Sequence, residues 1–196
     1  MLDNTQAITM ESKRLHLAEN TPKITLTAEQ VGDVEVGAGE FHYHLLQSDS
    51  SELTYTFHLR HPGSQIRVTG FINAQGTSPT LNTKVIHHAP QTKAETLIRT
   101  LAEGKATPRY TGLIRIEENA QDCESYLNHH SLLFGEDAHS WTIPSLEILA
   151  NEVKCSHAAT IRTITDADLF YPRSRGISAD DARNLLIEAF LYDVQN

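Results

Sequence analysis

The chain has two cysteines, Cys123 and Cys155, and one tryptophan, Trp141, in 196 residues. Two thiols cannot staple a fold of this size, and in a reducing compartment thiols are more often buried, reactive or metal-bound than joined as a structural disulfide. Long apolar runs are missing too. Nothing approaches the roughly 18 to 20 uninterrupted apolar residues that span a bilayer. The opening stretch MLDNTQAITMESKRLHL lacks the apolar centre of a signal peptide, which makes a cytoplasmic chain the expectation. Positive charge is scarce: 16 Lys and Arg against 25 Asp and Glu leave a net charge of −9. The basic residues are scattered, and an acidic surface repels phosphate backbones, so nucleic acid is excluded as the main partner. No glycine-rich phosphate loop occurs, so the chain is not itself an ATPase. Eleven histidines are many for this length, and they cluster in FHYHLL, HLRH, IHHAP and NHHSLL. None has the helical His-x-x-x-His spacing of a zinc site, and most read as surface residues.

An apolar content of 39% can bury one substantial core. ELTYTFHLRH alternates cleanly, with Leu53, Tyr55, Phe57 and Leu59 on one side and Thr54, Thr56, His58 and Arg60 on the other, which is the period of a half-buried strand. QIRVTGFI, TLNTKVIHH, TGLIRIEE, SLEILAN and EVKCSHAATIRTI follow as further short strands. The body is therefore all-β. Two-residue Asn-Gly and Asp-Gly hairpin turns do not dominate, and Asn119 and Asn128 fall at the expected strand ends, which leans towards a solenoid. Without a strict repeat, periodicity alone does not choose between a β-helix, a sandwich and a barrel. Thr92 to Ala106 carries Leu97, Ile98 and Leu101 at helical spacing and reads as a short helix weakened by Thr96 and Thr100. A clearer helix starts at Ser178, where Ser178 and Asp181 form a capping-box pattern. Its stripe of Ala182, Leu185, Leu186, Ala189 and Phe190 either packs on the β body or docks another protein.

On a strand, residues two apart share a face, so Cys155 and His157 can present a thiolate and an imidazole in one direction. Both donors suit iron. The competing reading is a core thiol beside a surface imidazole, since free cysteine is among the most buried residue types. Arg173, Ser174, Arg175 and Gly176 suggest phosphate binding, but arginines near a helix start are more often solvated or capping. Asp180 and Asp181 are explained by the positive end of the helix dipole rather than by catalysis.

The segment from Pro144-x-Leu146-x-Ile148 through Val153-Lys154-Cys155-Ser156-His157, Leu169-Phe170-Tyr171 and Ser174-Arg175-Gly176-Ile177 to Phe190 resembles the C-terminal signature of the SufB/SufD family of iron–sulfur cluster assembly proteins, here in a short form. The stretch NAQDCESYLNHHSLLF is similar to the family segment before it. The resemblance implies a right-handed parallel β-helix core, over residues 1–176, with strand and turn rather than a helix from Thr92 to Ala106, followed by a C-terminal amphipathic helix, residues 177–196. It also implies a noncatalytic scaffold that pairs through its β-helix, with itself as a homodimer or with a SufB/SufD-like protomer, and docks a SufC-like ATPase through its C-terminal region. Leu185, Leu186 and Phe190 are the candidate docking residues. Cys155 and His157 fall on SufD-type positions, and Cys123 before Glu124 and Ser125 is similar to a SufB-type segment. The three are thus candidate ligands of a transient iron–sulfur cluster. Ala158 departs from both patterns, standing where SufD-like chains usually have glycine and SufB-like chains glutamate. A β-helical enzyme acting on polysaccharide is the alternative, although no cluster of Asp, Arg or Lys on one face is evident, and a structural paralogue without a cluster role is a third reading.

Overall fold

The alternation seen in ELTYTFHL recurs along the chain, and each such run buries its apolar side towards one shared interior. The computed structural model describes the backbone of residues 14–16, 24–26 and 32–195, and the side chains of 32–194. The strands are β1 (Arg14–His16), β2 (Ile24–Leu26), β3 (Gly32–Val36), β4 (Glu40–Gln47), β5 (Glu52–Leu59) and β6 (Gln65–Gln75). They continue as β7 (Thr80–His87), β8 (Lys93–Glu103), β9 (Arg109–Ile116), β10 (Cys123–Phe134), β11 (Trp141–Ile148) and β12 (Val153–Ile164). Two helices, α1 (Asp166–Ser174) and α2 (Ala179–Gln195), end the described chain.

Odd-numbered strands form one six-stranded sheet in the order β1-β3-β5-β7-β9-β11, and even-numbered strands form the other, β12-β10-β8-β6-β4-β2. Neighbours in each sheet run parallel. Each turn of the chain thus lays one strand on each sheet, which is a parallel β-solenoid. Tyr43, Tyr55, Tyr110, Phe41 and Phe57 are fully buried between the sheets. Each such side chain contributes on the order of 2 kcal/mol of hydrophobic stabilisation.

The turns stack as the strands do. Gly76, Gly104 and Gly135 each follow the last residue of β6, β8 and β10, all with positive φ. Gly76 N–H donates to the Glu103 carbonyl and Gly104 N–H to the Phe134 carbonyl, so one corner is copied from turn to turn. At the other corner Gln91 and Asp122 take the left-handed conformation, at φ 60° and 59°, and each donates its N–H to the turn above.

Several expectations change here. The segment from Thr92 to Ala106 is strand β8 rather than a helix, because the chain lies between β6 and β10 and both its faces are covered. Tertiary burial overrides its helical spacing. Asn128 lies in the middle of β10 rather than at a strand end. His87 and His129 are completely buried, not at the surface. The Ser178 cap is present: its hydroxyl accepts the Asp181 N–H at 3.1 Å. α2 packs across the outer face of the even sheet, burying Ala182, Leu191 and Val194. The buried stripe is rotated relative to the one read from sequence, leaving Leu185 53% exposed. Arg99 anchors the helix, 3.0 Å from Asp193 and over the Phe190 ring.

Candidate functional site

Cys123 and Cys155 stand on adjacent turns. β12 pairs with β10 in a register that sets Val153 beside Cys123, Cys155 beside Ser125 and His157 beside Leu127. Since Cys123, Ser125, Leu127, His129, Ser131 and Leu133 are all buried, this parity faces the solenoid interior. Cys155 and His157 therefore share the inward face.

That face is covered in β10 and open in β12. No further turn of the described chain lies beyond β12, which has β10 as its one neighbour in the sheet. His157, Ala159, Ile161 and Thr163 are exposed, and Cys155 is half-buried against the core. Ile148 and Leu149, at the end of the opposite sheet's last strand, are exposed as well. A solenoid end that shows its interior is a surface awaiting a cap or a partner. Burial pushes the Cys155 thiol up to about 11, so it rests protonated at neutral pH. A metal ion in contact would be needed to hold it as thiolate.

Cys123 sits deeper. It is 1% exposed, and its sulfur lies 3.1 Å from Thr92 Oγ1 and 3.4 Å from the Ala89 carbonyl oxygen. Thr92 Oγ1 is in turn 2.7 Å from His87 Nδ1. Burial, with His88 nearby, pulls His87 down to about 4, so its ring is neutral. Ser125 Oγ and His87 Nε2 are buried without a hydrogen-bond partner. Sequence reading missed Thr92 and His87; the run Ile86-His87-His88 carried no sign of which imidazole turns inward until the parity of β7 was fixed. On the outer face, Lys154 lies 3.1 Å and Lys93 3.9 Å from Glu124, a charge ladder tying β12 to β10 and β8. Lys154 holds the Glu124 carboxyl below its usual range.

Among the described residues no three His, Cys, Asp or Glu side chains gather to hold a metal ion. One chain therefore offers Cys155 and His157 on an open face, with Cys123 one turn behind. Directly after β12, Phe170 and Tyr171 of α1 are 71% and 66% exposed, and Arg175 lies over the Tyr171 ring. Leu186 and Phe190 instead line a cleft of about 320 Å³ between α2 and the ends of β10 and β12. Leu185 points to solvent. No helix among the described residues is long and apolar enough to cross a membrane.

Residues 6–190 match the family described as SUF system FeS cluster assembly, SufBD core domain. The chain belongs to the SufBD core family. It is 39% identical over 98 residues to the iron–sulfur cluster assembly protein SufD of Escherichia coli (strain K12), across 50% of this chain and 23% of that protein. It is 30% identical over 162 residues to the iron–sulfur cluster assembly SufBD family protein slr0076 of Synechocystis sp., across 83% of this chain and 34% of that one. The matched part of the chain thus spans about a quarter to a third of the length of these two relatives. Membership in the SufBD family agrees with the parallel solenoid and with the resemblance carried by Cys155, His157 and the segment around Phe170.

Proposed function

We propose that this protein is a noncatalytic, cytoplasmic scaffold of iron–sulfur cluster assembly, on which a nascent cluster is the cargo. The observation that carries the reading is the uncovered inner face of β12, which presents Cys155 and His157 of a SufBD-family solenoid where a second protomer can meet them. Two donors from one chain cannot complete a cluster's ligand set. Pairing of two open ends brings two such sets together, so an interfacial cluster suits the geometry better than an internal one. Cys123 is the reserve ligand: its sulfur is reached only if the Thr92 contact opens. The partner is a second copy of this chain or a longer SufB/SufD-like protomer.

The second contact in this reading is a SufC-like ATPase. Phe170 and Tyr171 supply exposed aromatic anchors of the kind that dominate interfaces, and Leu185 is exposed on α2. Phe190 serves the same end indirectly, by holding α2 on the solenoid.

Anaerobic co-expression with a SufC-like ATPase and a cysteine desulfurase tests both parts. The expected result is a co-purifying complex that carries iron and sulfide, with the metal lost and the complex retained in His157→Ala. A protein that binds no ATPase and gains no iron or sulfide, with His157→Ala behaving as wild type, would overturn the reading.

A further inference from the structure

HLRH and IHHAP, two of the histidine clusters in the sequence, meet on the outer face of the odd sheet, away from the open end. His58 leaves β5 and His88 directly follows β7, on the next turn. His58 Nδ1 lies 3.0 Å from His88 Nε2, and the two rings stack at 5.2 Å and 20°. On the far side of His58, Asp33 Oδ1 of β3 is 3.5 Å from Nε2. This carboxylate favours the proton on Nε2 and leaves the Nδ1 lone pair facing His88. His88 Nε2 faces that lone pair and, in the tautomer protonated on Nδ1, presents one of its own.

Two imidazole nitrogens bound at right angles to one ion, each at about 2.0 to 2.1 Å, stand about 2.9 Å apart. A carboxylate behind one of them is the usual outer support of a metal-bound histidine. We propose that His58 Nδ1 and His88 Nε2 form a two-nitrogen site for a divalent transition-metal ion, with water in the remaining positions and Asp33 as the positioning residue behind His58. For the ion to enter, His88 moves its proton to Nδ1 and no net proton is lost. The site is independent of the cluster-assembly reading, since it shares no residue with β12.

The charges around it set the affinity. Arg60 Nη2 stands 3.5 Å from His58 Nδ1 and opposes a cation, although its Nε is tied to Glu35 at 2.8 Å. Glu35 and Glu117 both attract positive charge towards His88. Arg60 is therefore a gate: removing it should tighten binding, which a merely structural role would not do.

Copper(II) is the probe, because its electron paramagnetic resonance spectrum counts bound nitrogens. The full chain carrying Cys155→Ser and His157→Ala is used, so that the open-end donors do not compete. The expected result is a two-nitrogen signal lost in both His58→Gln and His88→Gln, an affinity about 10-fold weaker in Asp33→Asn, and a tighter one in Arg60→Ala. Circular dichroism shows whether each variant is folded, and Arg60→Ala and Asp33→Asn keep the test open if the histidine variants are not. A signal that survives in folded histidine variants, or an Arg60→Ala variant that binds no more tightly, would mean a plain imidazole hydrogen bond and overturn the proposal.

Discussion

Ser125 and Cys155 are direct neighbours across β10 and β12, yet one is sealed in the interior and the other is only half-buried on the open face. The same inward position thus has two different energetic meanings on consecutive turns. His157→Ala should change unfolding free energy by less than about 0.5 kcal/mol, as surface substitutions do, and Cys155→Ser, half-buried against the core, by less than about 1 kcal/mol. Cys123→Ser should cost more, roughly 1 to 2 kcal/mol, because the sulfur's packing is lost in a fully buried place. Urea unfolding of the three variants checks the ordering, and equal losses would show that β12 is capped.

Acid should unfold the protein through its buried imidazoles. Burial, chiefly, pulls His87 down to about 4 and His129 down to about 3. Below about 6.5 the unfolded chain takes up protons that these folded rings refuse, so stability is full above that pH and falls as pH drops towards the folded values. Each ring adds a slope of about 1.4 kcal/mol per pH unit in that window. Replacing His129 by Gln should flatten the profile between pH 6 and 4, as measured by urea midpoints across pH. An unchanged slope would place the acid sensitivity elsewhere.

Much of the fold was legible because the strand period is local. Leu53, Tyr55, Phe57 and Leu59 announce an inward face with no help from the rest of the chain. The stacking was less legible, since the register offset grows from Phe41↔Ile66 to Trp141↔Arg109, a drift from 25 to 32 residues that hides any repeat. The spacing within β8 suggests a helix, against the strand and turn that the resemblance implies, because both its faces are buried and its alternation is filled in by Leu97, Arg99 and Leu101 under α2. Cys155 and His157 could be placed on one face from their spacing. That the face is open, and that His87 and Thr92 stand behind Cys123, depended on register across turns, which no single strand encodes.

The helical end should separate into a structural and a binding half. Phe190 packs with Leu101, Leu132 and Phe134 and carries the Arg99 guanidinium over its ring. Phe190→Ala should cost about 2 kcal/mol, below the range for a fully buried ring because the residue is only half-buried. Phe170→Ala and Tyr171→Ala should leave unfolding unchanged and weaken ATPase capture in a pull-down. Loss of stability without loss of capture in these two would reverse the assignment.

Pairing through the open end has its own marker. Ile161 is on the inward face of β12 and 46% exposed. Ile161→Asp places a charge where a partner's apolar face would lie, at little cost to the isolated chain. Sedimentation should show the pair reduced to monomer with an unchanged melting curve. A variant that still pairs would move the interface off β12.

Gly112 offers a test of interior packing that owes nothing to the site. A Cβ at this inward position of β9 would collide with Leu127 Cδ1 and come 2.8 Å from the Tyr110 hydroxyl, closer than real contacts allow. Tyr110 cannot simply yield, because its hydroxyl is held 2.7 Å from Thr83 Oγ1 and its ring lies against His129. Overpacking of this kind typically costs about 1 to 3 kcal/mol. Gly112→Ala should fall in that range by urea unfolding, and adding Leu127→Val, which shortens the clashing side chain, should recover part of the loss. If the double variant is no more stable than the single one, the strain resides in Tyr110 and its hydrogen bond rather than in Leu127.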